Sequence, residues 1–304
     1  MAEILVTGAR GFLGSSLCRR LRQDGHRLVE LNSEICDLTR SDSLSAFNDR
    51  RYDKIYHLAA LTRAGDWCLH HPGEQWIVNQ QINANLLGWW RAEQPQAKMI
   101  AMGSSCVYDP DLPLAEENYL VGQPIDSLYA YAMSKRMLLV GLRALTRQFG
   151  LAHLLLVPTT LYGPHYHKDG RQMHFIFDLI RKILRGKHFG EEVVLWGDGR
   201  QKRELSFVED FVDAAVRLEP DHRDEVINVG CGEEFSIRDY AAAIGDLVGY
   251  PADRIRYDAS RYVGAKSKCL DIGKLRRLLP DRRQTSLQEG LRITIDWFER
   301  EKIY

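Results

Sequence analysis

Tyr131 and Lys135 stand four residues apart in the run YAMSK. On a helix of about 3.6 residues per turn they share one face. An ammonium beside a phenol lowers the phenol pKa from its ordinary value of about 10, which makes Tyr131 a usable acid–base. Ser104 and Ser105 bring a second hydroxyl. Ser104 could donate to the same substrate oxygen as Tyr131, and the pair would stabilise and protonate an alkoxide as hydride arrives. A Y-x-x-x-K spacing occurs by chance on many helices, so its meaning depends on the elements that carry it.

Those elements alternate. Apolar runs predict strands at 3–6, 27–31, 54–58, 99–102 and 153–157, and amphipathic stripes predict helices at 12–23, 74–90 and 131–149. Strand and helix in this order imply βαβ units and a parallel sheet. Ser104 follows the fourth strand, at the carboxyl edge where such sheets bind ligands. Beyond residue 165 the pattern loosens. Short runs at 193–196 and 226–229 alternate with helical stripes at 175–184, 210–218, 237–248 and 287–300. The expected fold is α/β: a Rossmann-type doubly wound parallel sheet over residues 1–164, with a smaller C-terminal α/β substrate-binding lobe mainly in 165–304. Later segments, about 205–230, are expected to return to the first unit.

Between the first strand and first helix lies Gly8-Ala9-Arg10-Gly11-Phe12-Leu13-Gly14. Glycine at 8 and 11 permits a tight turn and close approach of a pyrophosphate. Gly14 lets the helix pack near the sheet, and the helix N-terminus offers amide donors and a positive dipole. The second strand ends in Leu31-Asn32-Ser33, where an acidic residue would hold a ribose 2′-hydroxyl; Glu34 comes too late in the chain for that place. Arg10 could pair with a 2′-phosphate, which favours NADP(H), or be a solvated loop cation. Asp37 could accept from the adenine amine, or cap a helix.

With these residues in place, the chain resembles the extended short-chain dehydrogenase/reductase superfamily, and within it the GDP-L-fucose synthase branch. The resemblance runs nearly end to end. It is carried by the glycine loop, His57-Leu58-Ala59-Ala60, Gly103-Ser104-Ser105-Cys106-Val107-Tyr108, Tyr131, Lys135, Pro158-Thr159-Thr160-Leu161-Tyr162-Gly163-Pro164, His174, Trp196-Gly197-Asp198-Gly199 with Arg203-Glu204, and Ile227-Asn228-Val229-Gly230. It implies an NADP-dependent oxidoreductase that is also an isomerase, acting on a GDP-linked 4-keto-6-deoxy sugar. Cys106 and His174 would carry C3/C5 epimerisation before Tyr131 and hydride reduce C4. A 4-keto group acidifies the neighbouring C–H bonds; a stabilised Cys thiolate can remove a proton and His can return one from the opposite face. Otherwise Cys106 is a small buried apolar residue and His174 a helix-start hydrogen-bonding residue.

The resemblance also places Leu58, Ala59, Ala60, Asn79 and Pro158 at the cofactor. Lys182, Trp196, Arg203 and Lys268 would lie near the sugar nucleotide. Arg203 and the two lysines could neutralise a diphosphate, and Trp196 could pack beside sugar or base. A solvated basic edge, a core Trp and a surface amide at Asn79 are the plainer readings. The branch has Asn where Thr160 stands and Arg where Lys182 stands, and its Arg after the second strand is missing. These departures leave open a C4-reductase alone, an epimerase with bound NAD(P), or a related deoxy sugar or heptose as substrate. A catalytically silent nucleotide sensor is a further alternative, against which the intact Ser104, Tyr131 and Lys135 argue.

The 304 residues carry 41 Lys plus Arg and 41 Asp plus Glu, a formal charge of zero. Bulk attraction to nucleic acid, or membrane binding through a polybasic surface, is therefore not expected. Six cysteines form no CxxC pair, and none lies near a His at zinc-ligand spacing. His165-Tyr166-His167 lacks a third ligand, so no metal is expected. His70-His71 reads as a solvated helix start, and Trp67 and Trp89-Trp90 as packing or dimer contacts. With no apolar run near the roughly 20 residues of a membrane span and no signal peptide in MAEILVTG, a cytoplasmic protein is expected. The resemblance implies a homodimer through a four-helix interface of the helices at 74–90 and 131–149.

Overall fold

The computed structural model describes residues 1–63, 67–261 and 264–304. β1 (Glu3–Thr7) has Ile4, Leu5 and Val6 fully buried, as a central strand covered on both faces must. It runs into α1 (Phe12–Gln23) and β2 (Arg27–Leu31). After β3 (Lys54–His57), α2 (Trp67–His70) and α3 (Pro72–Glu93) lead to β4 (Lys98–Met102). α4 (Tyr129–Phe149) ends at Gly150 in the left-handed conformation, and β5 (His153–Pro158) follows.

The second half contains β6 (Thr160–Tyr162), α5 (Phe175–Phe189), β7 (Val193–Trp196), β8 (Lys202–Phe207) and α6 (Val208–Leu218). Then come β9 (Glu225–Val229), β10 (Glu234–Ser236), α7 (Ile237–Val248), β11 (Ile255–Asp258), α8 (Gly273–Leu278) and α9 (Leu287–Glu301). The strand character of 202–207 was not anticipated, because its alternation begins with two charges, Lys202 and Arg203.

The main sheet has strand order β2-β1-β3-β4-β5-β9, parallel throughout. The chain leaves β1 to one side for β2 and to the other for β3. That reversal opens a crevice at the carboxyl ends of β1 and β3, where open α/β sheets bind ligands. Two smaller sheets, β10-β8-β6 and β11-β7, belong to the second half. The apolar interior forms two clusters. One joins β1–β5 with Phe211–Val229 residues and with Leu270, Ile272, Leu275 and Leu279. The other is built from α5, α7, α9 and the small sheets.

The inner face of α3 is not an apolar stripe. Gln75, Asn79 and Asn83 recur every four residues and are all buried. Each has partners: Gln75 donates to the Leu61 carbonyl, Asn79 both donates to Leu61 O and accepts from Leu61 N, and Asn83 meets His57 at 3.0 Å. Trp89 and Trp90 are buried within the chain, their indole N–H groups donating to Asn48 and the Ala97 carbonyl, so they are not dimer contacts. Trp67 stacks on His71 at 4.6 Å, and His71 stands exposed at the N-cap of α3, the solvated helix start expected from the sequence.

Candidate active site

A single open cavity of about 1390 Å³ follows the crevice from the β1–α1 loop to β7. Its described lining contains eight Lys and Arg against two Asp, in a chain whose charges balance overall. The excess is local and suits a polyanionic ligand. At its start, Gly8 adopts φ +68°, and a Cβ there would lie 2.9 Å from Ala59 N. A Cβ on Gly14 would lie 2.1 Å from the Gly8 carbonyl oxygen. Gly11 caps α1 without a side chain, which leaves first-turn N–H groups for an anion. This backbone cradle fits a dinucleotide pyrophosphate. Thr7 Oγ1 accepts from Leu58 N and Ala59 N, both at 3.2 Å, and so must donate to His57 Nδ1 at 3.0 Å. His57 Nε2–H then donates to Asn83 Oδ1. Burial holds the His57 ring neutral, its pKa pushed down to about 4.

At the β2 end of the cavity Arg10 is paired with Glu34, and both are exposed. The late position of Glu34 is thus what lets it meet the loop cation. Asn32 Oδ1 accepts from Glu34 N at 2.8 Å and Ile35 N at 3.1 Å, fixing the turn after β2. Asp37 Oδ1 accepts from Thr39 N and Thr39 Oγ1, so this carboxylate is tied into a local turn while still lining the cavity beside Ser33. Asn79 does not line it. Both ends of its amide bond Leu61 and Gln75, and Leu61 lines the cavity, so Asn79 stands behind the wall and supports its backbone.

Helix α4 brings Tyr131 and Lys135 to the cavity floor, opposite Ser104 at the end of β4. Ser104 Oγ accepts from Cys106 N at 3.2 Å and contacts the Tyr131 phenol. The expected lowering of the Tyr131 pKa by Lys135 is not found. Burial raises it, the neighbouring Cys106 adds to the rise, and the Ser104 contact opposes it. Lys135 is itself driven down to about 8 by burial, and its Nζ donates to the Met102 carbonyl at 2.9 Å, 5.9 Å from the Tyr131 ring centroid. The protonated phenol is a donor aimed at the cavity. Buried Arg136, next on α4, donates to the carbonyls of Val107, Val121 and Gly122 and pins the loop after Ser104.

Cys106 lies on that loop. Burial opposes its ionisation, but Lys268, Ser104 and Arg203 together outweigh it, and the thiol pKa falls below its ordinary value. Lys268 Nζ donates to Sγ at 3.1 Å. His174, at the N-cap of α5, faces the same cavity, where surrounding protein and then Lys268 and Arg203 push its pKa down to about 4. Further along, Lys182 pairs with Asp178 at 3.0 Å, and Arg203 donates to the Ala265 carbonyl at 2.7 Å. Trp196 is 40% exposed, with the Arg261 guanidinium 5.5 Å from its ring centroid. Ser105, Thr160 and Pro158 complete the wall.

The family model for the NAD dependent epimerase/dehydratase family matches residues 4–230. The chain belongs to that family. Among relatives, the GDP-L-fucose synthase of Escherichia coli K12 is 32% identical, over 97% of this chain and 96% of its own length. A dTDP-4-dehydro-6-deoxy-D-allose reductase from Streptomyces is 30% identical, over 98% of this chain and 97% of its own. The crystal structure of a GDP-L-fucose synthetase from Naegleria fowleri bound to NADP has a TM-score of 0.87 at 25% identity, covering 99% of this chain and 94% of that one.

In this family member the cavity gathers every sequence-predicted site residue except Asn79. It also holds three cations that sequence reading passed over: Arg63, Arg171 and Arg261. Their sequence neighbourhoods are loops without a repeating pattern. Among the described residues no group of three or more His, Cys, Asp or Glu could hold a metal ion, and no helix is long and apolar enough to cross a membrane.

Proposed function

We propose that this family member is an NADPH-dependent epimerase/reductase of a GDP-linked 4-keto-6-deoxy sugar. The observation that carries the reading is one cavity that gathers a phenol–serine donor pair at Tyr131 and Ser104 and, on the Ser104 loop, a polarised thiol at Cys106. The cofactor is NADP(H): Gly8, Gly11, Phe12, Leu13 and Gly14 would hold the pyrophosphate, Asn32, Ser33 and Arg10 the 2′-phosphate end, and Lys135 the ribose. When bound there it supplies hydride to C4.

Cys106 removes a proton from the carbon beside the keto group, and the electron pair moves onto the C4 oxygen. Tyr131 and Ser104 donate to that oxygen, first as enolate and later as alkoxide. Tyr131 then gives up its proton to complete the alcohol. Arg203 and Lys182 face the diphosphate, while Lys268 stays on the Cys106 sulfur. Once the Arg203 charge is met by that anion, part of the cationic repulsion on His174 is lifted, and its pKa moves upward, the direction that lets His174 return a proton.

A second reading, reduction without epimerisation, is favoured by the neutral His174 of the resting site. Incubation with GDP-4-keto-6-deoxymannose and NADPH in deuterated water, followed by NMR of the product, separates them. Deuterium at C3 and C5 with NADPH consumed is expected; NADPH loss without deuterium makes the protein a plain reductase. No turnover at all removes this substrate and points to another nucleotide 4-keto sugar or heptose.

The enzyme acts as a homodimer through α3 and α4. Ile77, Met137 and Val140 stand exposed on these packed helices, which supports that surface. The six free cysteines support a reducing compartment, the cytoplasm.

A further inference from the structure

We propose that Lys268 is the residue that ionises Cys106, its ammonium held against Sγ by two carboxylates that fix the backbone on either side of it. This rests on the reading of Cys106 as the base. Lys268 Nζ donates to Sγ at 3.1 Å although 162 residues separate the two. The backbone around Lys268 is anchored rather than loose. Lys268 N donates to Glu234 at 3.0 Å, and Ser267 Oγ donates to the same carboxylate at 2.8 Å. The Lys268 carbonyl accepts from Glu204 N at 3.2 Å. Glu204 is 1% exposed and spends its oxygens on Leu270 N at 2.8 Å and Gly232 N at 2.7 Å. A carboxylate is seldom buried so deeply without a structural task. Here it ties the turn after β9 to the segment that delivers the ammonium.

The other groups facing the thiol are the Arg203 guanidinium, the Ser104 and Tyr131 hydroxyls and the Cys68 thiol. Lys268 brings its charge into direct contact with the sulfur. The paired thiolate and ammonium cancel, so the base adds no net negative charge to a cavity that must admit a diphosphate. In the resting enzyme the thiol proton passes to solvent through the open cavity. In turnover the thiolate takes the carbon-bound proton, leaving a neutral thiol beside Lys268, and the electron pair resides on the keto oxygen until reprotonation at carbon.

The test is the pH dependence of Cys106 alkylation by iodoacetamide, without nucleotide, followed by peptide mass mapping. Wild type, K268R, K268M and K268Q are compared from about pH 5 to about pH 10, a range that spans the ordinary thiol value. NADP binding by each variant reports folding. Wild type and K268R should titrate below the ordinary cysteine range. In K268M and K268Q the midpoint should rise by about one unit, a roughly tenfold slower reaction at pH 7. A midpoint unchanged in a folded neutral variant overturns the proposal, even if wild type exchanges deuterium. A shifted midpoint in a protein that exchanges no deuterium keeps the Lys–Cys pair and removes the epimerase reading instead.

Discussion

The floor and the rim of the cavity are held by different means. On the floor Lys135 is buried, and behind the floor Thr7, His57, Asn83 and Arg136 are buried too; each makes short bonds to backbone or to another buried group. On the rim the cations are partly exposed and paired with carboxylates: Arg10 with Glu34, Lys182 with Asp178, Arg171 with Asp169, Arg261 with Asp258. Exposed pairs of this kind contribute about 0–1 kcal/mol each, so a phosphate can replace the carboxylate at little cost. A floor group deprived of its partner leaves a buried polar atom unsatisfied, at about 1–3 kcal/mol. On the proposed function the chemistry is thus preorganised, and the cations that would meet the anion wait in exchangeable pairs.

Substitutions on the floor should therefore act on rate or fold, and those on the rim on affinity alone. The largest effect is expected from Tyr131→Phe: about a thousandfold lower kcat for NADPH oxidation, with NADPH affinity kept, as loss of a general acid gives. A retained rate would remove Tyr131 from the chemistry. Next is Gly14→Ala, whose Cβ meets backbone rather than a yielding side chain. It should cost about 1–3 kcal/mol in denaturant unfolding and abolish NADP binding. Wild-type stability in such a titration would mean that α1 can slide.

A smaller effect concerns pH. His57 is held near 4 by burial, against 6.5 when free. Between these values the unfolded chain binds more protons than the folded one, so stability rises with pH and is lost as pH falls from 6.5 through 4. In H57N the thermal midpoint should fall less steeply over this window; an unchanged slope would assign the acid lability elsewhere, His153 being the first suspect.

The smallest effects belong to the rim. Lys182→Gln should raise KM for the nucleotide sugar about two- to fivefold, less at high salt, with kcat unchanged. Glu34→Gln should act in the opposite sense at the other end, tightening NADP binding about two- to fivefold by releasing Arg10. A loss of kcat in either variant would break the division between floor and rim.

What could be read from the residues follows the same division. The glycine loop, Ser104 and the Tyr131/Lys135 spacing were legible because backbone approach and helical periodicity are local constraints. The alternation of strands was legible for the same reason, β6, β8, β10 and β11 being missed where strands are short or begin with charge. The amide ladder of Gln75, Asn79 and Asn83 carries a signal, polar residues at i, i+4 and i+8, that an apolar template overlooks. Lys268 was expected to face a diphosphate; its contact with Cys106 spans 162 residues and no local pattern announces it. Tyr131 was misjudged in pKa because charge proximity was weighed without desolvation.

The order of strands in the main sheet has a consequence for synthesis. β9 closes the outer side of β5, yet it emerges from the ribosome some 70 residues later, β5 ending at Pro158 and β9 at Val229. At about 5–20 residues per second the nascent sheet carries a bare parallel edge for roughly 4–14 s. Leu270, Ile272, Leu275 and Leu279, which also fill the first core, arrive later still. The half that carries the main sheet is thus made first and finished last, and its unpaired β5 edge is the place where a translating chain would engage a chaperone.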